Sequence, residues 1–459
     1  MSDELPEGWS QAHLSQLAEA RMGKTILAKE LTPSGVPVYS AGRENVPWGH
    51  VATSDLTFDE RTVVLSARGS IGFPRLPRQV PFVSTQTTIA MTAPTRGLAE
   101  WLRYWLETVD WTHETSGASI PMVTVRQLGA FTVPVAPEAE QRRIVAKVEA
   151  LLEQVRRAKD RLDRVPLILK RFRQAVLAAA CSGRLATSWR NGQGPEHAEV
   201  GCGEVPSGWR VMPLGETSIL INGDRSKNYP SKKDRVPHGV PFINAGHLVE
   251  GAVDFTAMDF ITQERSDLLK SGKVQEGDIL YCVRGSLGKS AVVRGFSEGA
   301  IASSLLIIRT RGDLVLPDYV HAVLSSPFGE SQIREYDNGS AQPNLAAGDV
   351  AKFLVPVPPL GEQVEIMRKV NALFAFATAI RRQVEQATAR TEKLPQAILS
   401  KAFAGQLVPT EADLALAEGR AYECADQLLE RVRAAPIVEK KGTRMRRHKG
   451  SGSRTSSTV

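Results

Sequence analysis

The chain has 459 residues, 42% hydrophobic and 23% charged, enough for two or three domains with cores of their own. No stretch reaches the roughly 18 apolar residues of a membrane span, and the polar start MSDELPEGWS lacks a signal-peptide core, so a cytoplasmic protein is expected. The net charge of +7 sits at one end: residues 431–459 carry nine Lys/Arg against Glu439, which is +8 and leaves −1 for residues 1–430, so overall basicity is no argument for nucleic acid. Cys181, Cys202, Cys282 and Cys424 form no C-x-x-C pair, which argues against a disulfide framework or a cysteine zinc site.

Residues 1–137 alternate short β-like runs such as VPVYSAG and RTVVLSARG with turn residues, and a helix is expected at 97–109. The domain reads as α+β. A glycine loop, Arg68-Gly69-Ser70-Ile71-Gly72, follows a strand, where glycine permits close backbone approach and arginine supplies charge. Polar residues on other strand exits are further candidates for DNA contact: Tyr39, Ser40, Arg43, Asn45, Trp48, Thr85, Gln86 and Ser119.

After the strand exit VPVAP, residues 138–185 carry Ile144, Val148, Leu151, Val155, Ala158 and Leu162 at alternating spacings of four and three, a heptad seam. Pro166 is expected to bend or interrupt the helix, and Gly183 to cap it. A Gly-rich linker, 186–204, leads into residues 205–358, again α+β, with a helix expected at 316–326. Here the candidates for DNA contact are Asn244, His247, Glu250, Arg284, Ser286, Lys289, Ser303, Ser304, Gln342 and Asn344. Residues 359–407 then repeat the helix, with Ile366, Val370, Leu373, Ala377, Ile380 and Val384 in the same six positions, Pro395 as the expected break and Gly405 as the cap. Residues 408–459 are an extension ending in a basic tail that is expected to be disordered.

The chain is thus a tandem repeat. VPVAPEAEQRRIVAKVEALL (133–152) aligns with VPVPPLGEQVEIMRKVNALF (355–374) at an offset of 222, and RQAVLAAACSGRL (173–185) with PQAILSKAFAGQL (395–407) at the same offset. LPEGW (5–9) matches VPSGW (205–209) and ARGSIG (67–72) matches VRGSLG (283–288), at offsets of 200 and 216. The helical parts keep their spacing while the globular parts slip. Two seams of equal period are expected to pair antiparallel with a globular domain at each end, a dumbbell of approximate two-fold symmetry.

No catalytic constellation is present. Gly288-Lys289-Ser290 lacks the first glycine of a phosphate loop, since Val283 stands there, and no H-E-x-x-H or aminomethyltransferase N-P-P-aromatic motif occurs. A fused methyltransferase or nuclease is therefore disfavoured, and a coiled-coil scaffold for protein partners is the alternative to DNA reading.

The paired segments PEAEQRRI (137–144) and PLGEQVEI (359–366), the helix ends SGRL and AGQL, the P-x-G-W starts and the Arg-Gly-Ser loops together resemble the specificity subunits of type I restriction–modification systems. The resemblance covers residues 5–407. It implies two target-recognition domains, each reading half of a split DNA target, joined by spacer helices that dock two adenine methyltransferase subunits and, through them, motor–nuclease subunits. S-adenosylmethionine, ATP and magnesium would belong to those partners. It also implies that Gln141 and Gln363, with Ile144, Val148, Leu151, Val155, Leu162, Ile366, Val370, Leu373, Ile380 and Val384, form the helix–helix and subunit interface. The helices would then act as a ruler, since half-sites read from one face of DNA lie about 34 Å apart.

Overall fold

The computed structural model describes residues 5–112, 122–190, 197–200, 203–206, 208–337 and 343–434. They form two compact units, one of residues 1–161 with 387–459, the other of residues 162–386. Each unit combines one globular domain, the start of the helix that follows it and the end of the other long helix.

In the first unit, a four-stranded antiparallel sheet runs in the order Glu19–Met22, Thr88–Thr92, Thr62–Ser66, Gly72–Arg75. One of its two inner strands, TVVLS, opens with three β-branched residues and is buried at every position. A smaller sheet pairs Val36–Tyr39 with Gly49–Val51 antiparallel and with Val83–Ser84 in parallel. Helix Arg96–Leu106, capped by the Thr95 side chain on Leu98 N, covers the larger sheet. Trp101 is fully buried at the centre of this core, donating to Pro134 O at 2.9 Å and meeting Trp9 at 5.7 Å and Phe403 at 4.6 Å edge-on. Truncating such a residue costs about 3–5 kcal/mol.

The second unit repeats the plan. Its main sheet runs Ser218–Asn222, Leu305–Thr310, Ile279–Cys282, Ser290–Val292, and its second sheet again joins one parallel pair, Val240–Ile243 with Ala300–Ile301. Two helices, Pro317–Leu324 and Pro327–Tyr336, occupy the place of one.

The first spacer helix is broken: Glu138–Leu162 is followed by Val165–Cys181, with Pro166 in the first turn of the new helix, where its missing N–H costs nothing. Pro395 behaves differently from expectation. It lies inside a continuous helix, Leu360–Phe403, of 44 residues. Packing of Leu399, Ala402 and Phe403 into the first-unit core outweighs the one hydrogen bond lost. The predicted caps are present: Gly183 and Gly405 adopt φ +71 and +67. A Cβ on Gly183 would lie 2.7 Å from Pro206 Cγ, and one on Gly405 2.3 Å from Pro6 Cγ, so each helix end closes against a P-x-G-W start.

Within the second unit Val165–Cys181 runs antiparallel to the first half of Leu360–Phe403. Arg173 donates to Thr378 Oγ1 at 3.2 Å, Lys369 reaches Leu185 O at 2.8 Å, and Arg190 pairs with Glu362. The heptad seam is only partly a helix–helix surface. Ile144 and Val148, like Ile366 and Val370, are buried in the globular cores, whereas Leu151, Val155, Leu162, Leu373, Ile380 and Val384 are half-buried. The extension folds too: helices Glu411–Glu418 and Ala425–Ala434 bury Ala425, Leu428 and Leu429 in the first-unit core. Of the expected disordered tail, 431–459, the first four residues end the helix Ala425–Ala434, and residues 435–459 lie outside the described residues.

Candidate nucleic-acid interface

The two Arg-Gly-Ser loops are the tips of matching hairpins. Gly69 and Gly285 adopt φ +77 and +79 with open space where a Cβ would be, and Gly72 and Gly288 adopt φ +86 and +78 against Trp111 and Ile333. Each loop is fastened at its base to the segment that leads back toward the spacer helix. Val123 N donates to Ala67 O at 3.0 Å, and Leu345 N to Val283 O at 2.9 Å. Arg68 pairs with Met122 and Arg284 with Asn344 as antiparallel bridges, and Arg284 Nε donates to Asn344 Oδ1 at 3.1 Å. Arg68, Ser70, Arg284, Ser286, Lys289, Asn344 and Arg43 are all exposed.

Other candidates face inward. Tyr39 is 1% exposed and packs edge-on against Phe82 at 5.4 Å, and burial pushes its phenol up. Thr85, also buried, donates to Ser40 Oγ at 3.1 Å. His247 is buried, with Nδ1 accepting from Asn244 N at 3.2 Å and Nε2 against Ala257 O at 3.1 Å. These three belong to the core and are corrected as base contacts: at a strand exit the same polar residue types serve to tie turns. Gln86, Asn244, Ser303 and Ser304 are half-buried; Gln86 Oε1 accepts from Ile26 N, and Asn244 Nδ2 reaches Asp259. Glu250 is ion-paired with Arg381. Ser119 and Gln342 lie outside the described residues.

Gln141 and Gln363 are likewise turned inward rather than toward a partner. Gln141 Nε2 donates to Ala136 O at 2.8 Å. Gln363 donates to Leu314 O and Pro358 O, both at 2.9 Å, and accepts from Leu316 N at 2.8 Å. The glutamate before each glutamine is a second staple. Glu140 accepts from Trp9 Nε1 at 2.9 Å and from Glu411 N at 2.8 Å, and Glu362 accepts from Trp209 Nε1 at 3.0 Å. Burial raises the Glu140 carboxyl above its usual range. The E-Q motif therefore locks each spacer helix to residues flanking its domain's first and last strands, Ser10–His13 with Thr132–Val135 and Arg210–Pro213 with Leu354–Val357, and in the second domain also to the turn before Pro317–Leu324.

Sequence reading passed over a basic loop, DRSKNYPSKKDR (224–235). Asp234 and Arg235 are ion-paired with Arg265 and Asp259, but Arg225, Lys227, Lys232 and Lys233 are exposed with no carboxylate partner among the described residues. The near-neutral body hid this local patch. Among the described residues no group of His, Cys, Asp or Glu is placed to hold a metal ion, and no helix is long and apolar enough to cross a membrane.

The family model for the type I restriction modification DNA specificity domain matches twice, at residues 6–166 and 206–388. The chain is 34% identical over 297 residues to the type I restriction enzyme EcoBI specificity subunit of Escherichia coli, covering 64% of this chain and 62% of that one. It therefore spans less than two thirds of that relative's length. Against the EcoDI specificity subunit of Escherichia coli identity is 26%, over 88% of this chain and 89% of the relative. The HsdS subunit of Thermoanaerobacter tengcongensis superposes with a TM-score of 0.58 at 22% identity, covering 88% of this chain and 99% of that one. A chain from a structural study of type I R-M complex assembly gives a TM-score of 0.65 at 20% identity, over 88% of this chain and 99% of its own length. With one specificity domain matched in each repeat, the chain belongs to the type I restriction–modification DNA specificity family.

Proposed function

We propose that the chain is the non-catalytic specificity component of a type I restriction–modification complex, each repeat reading one half of a bipartite double-stranded DNA target. The observation that carries this is a duplicated frame bearing unlike arms. Both hairpins and both helix staples repeat, yet the exposed arginine of one domain, Arg43, corresponds to a buried His247 in the other. Such a pair is suited to reading two different sequences in one geometry. Two adenine methyltransferase subunits dock on the spacer helices, motor–nuclease subunits join through them, and S-adenosylmethionine, ATP and magnesium are held by those partners. The exposed loop cations supply phosphate contacts, which fix position, while loop side chains supply base contacts.

The test replaces residues 1–137 with the first domain of a relative and maps methylated adenines. One half-site changes and the other persists. A change in both halves, or methylation without sequence preference, refutes the modular reading. Inserting four residues near Gln154, about one helical turn, is expected to alter the number of unspecified base pairs.

A further inference from the structure

The loop Ser40–Asn45 of the first domain is held from behind at every residue but one. Ala41 N donates to Thr87 Oγ1 at 3.1 Å, and Gly42 N donates to Ser66 Oγ at 3.0 Å. The Arg75 guanidinium, in a residue 4% exposed, donates to Ser40 O at 2.6 Å and to Glu44 O at 3.2 Å. Asn45 Nδ2 donates to Leu76 O at 2.8 Å. What this frame presents outward is Arg43, exposed and without a carboxylate partner among the described residues. Its guanidinium stands 5.0 Å from the centroid of the Phe73 ring.

Phe73 is an unusual neighbour. It adopts φ +55, strained for a residue with a Cβ, and its ring is exposed. The cause is a bulge: Val64 pairs with Arg75 but Ser66 with Gly72, so the returning strand carries one extra residue and turns the ring outward. Stacking on an aromatic face fixes the plane of a guanidinium and leaves its N–H edge free. Both residues line a cleft of about 660 Å³ beside the Arg-Gly-Ser loop.

The second domain lacks this device. Its hairpin is regular, from Ile279 opposite Val292 to Tyr281 opposite Ser290. VPVYSAGR (36–43) aligns with VPFINAGH (240–247) at an offset of 204, which puts His247 opposite Arg43, and at the offset of 216 Phe73 and Arg75 become Lys289 and Ala291. There His247 is buried and Lys289 Nζ donates to Ala245 O at 2.7 Å.

We propose that Arg43 is a guanine-reading arm of the first domain, donating its forked N–H edge to O6 and N7 of one guanine in the major groove, with Phe73 and Arg75 as positioning residues. The proposal rests on the reading of this domain as a DNA-recognition module. A phosphate contact needs charge alone, which a mobile lysine supplies. A planar fork held over an aromatic face matches the bidentate acceptor pair of guanine.

The experiment uses the full chain assembled with its methyltransferase subunits. Binding to the native target and to duplexes substituted one base pair at a time is titrated over salt, for Arg43→Ala, Arg43→Lys, Phe73→Leu and Phe73→Tyr. Arg43→Ala relaxes discrimination at one G·C pair of one half-site by roughly 5- to 150-fold and leaves every other position intact. Arg43→Lys keeps the charge yet does not restore it. Phe73→Leu weakens discrimination at the same pair, and Phe73→Tyr retains it. If Arg43→Ala weakens all duplexes equally and lowers the salt slope by about one, the residue is a phosphate contact and the proposal is overturned, as it is if nothing changes. In both cases a native complex that still prefers a bipartite target leaves the broader reading standing. A native complex without sequence preference removes both.

Discussion

Replacing Gln363 by methionine separates two roles for the E-Q motif, docking a partner and locking the helix to its own domain. Methionine keeps the length and most of the volume but removes all three hydrogen bonds. Leu314 O, Pro358 O and Leu316 N then lose their partners beside a side chain that is 0% exposed. Each unsatisfied buried group costs about 1–3 kcal/mol. With partial relaxation, and about 1 kcal/mol recovered by burying the thioether, the net loss is roughly 3–5 kcal/mol. In a unit the size of residues 162–386 each kilocalorie moves the midpoint by about 2–4 °C, so the second unit's transition falls by on the order of 10–15 °C. Gln141→Met removes one such bond and costs about 1–2 kcal/mol. Scanning calorimetry of the full chain measures both. A Gln363→Met protein that melts within about 1 °C of the native chain yet no longer binds a methyltransferase subunit would refute the locking role and restore the interface role.

Alanine at Gly69 meets open space and costs only the strain of φ +77, about 1–2 kcal/mol. Alanine at Gly72 adds a Cβ 2.6 Å from the Trp111 ring and costs about 1–3 kcal/mol more; equal urea midpoints would contradict this. Lys232→Ala with Lys233→Ala should weaken DNA binding alike for target and scrambled duplexes and reduce the salt slope by about two, and a sequence-selective loss would count against phosphate contacts there. The Glu140 carboxyl titrates above the usual 4.5, so its favourable contribution is complete below that value and is lost as pH rises through the raised value. The stability of the native chain relative to Glu140→Gln should therefore decline from pH 4 toward neutrality, and an increase would show that the carboxylate is better solvated than its burial implies.

The repeat, the long helices and their glycine caps were legible because they rest on periodicity and on backbone geometry that few residues satisfy. Pro166 and Pro395 show where local signals stop: the same residue starts one helix and rides inside another, decided by what the following turn packs against. Tyr39, Thr85 and His247 were misread because a polar residue after a strand has one appearance whether it faces water or ties a turn. Gln141 and Gln363 were read as interface because they stand in the motif that carries the family resemblance, and sequence does not show that their partners are carbonyls up to 49 positions away. Phe73 and Arg75 were invisible since the bulge that exposes one exists only in the pairing of two strands.

The make-up of the two units bears on the order in which the chain acquires them. The second, residues 162–386, is continuous, whereas the first needs residues 387–434 to complete a core already begun by Trp9 and Trp101. On the ribosome the N-terminal domain therefore waits, its Trp101 side open where Leu399, Ala402 and Phe403 will sit, while the intervening unit is made and closes first. At about 5–20 residues per second that interval lasts on the order of ten to fifty seconds. During it the first-made half of the protein is the last to complete its core.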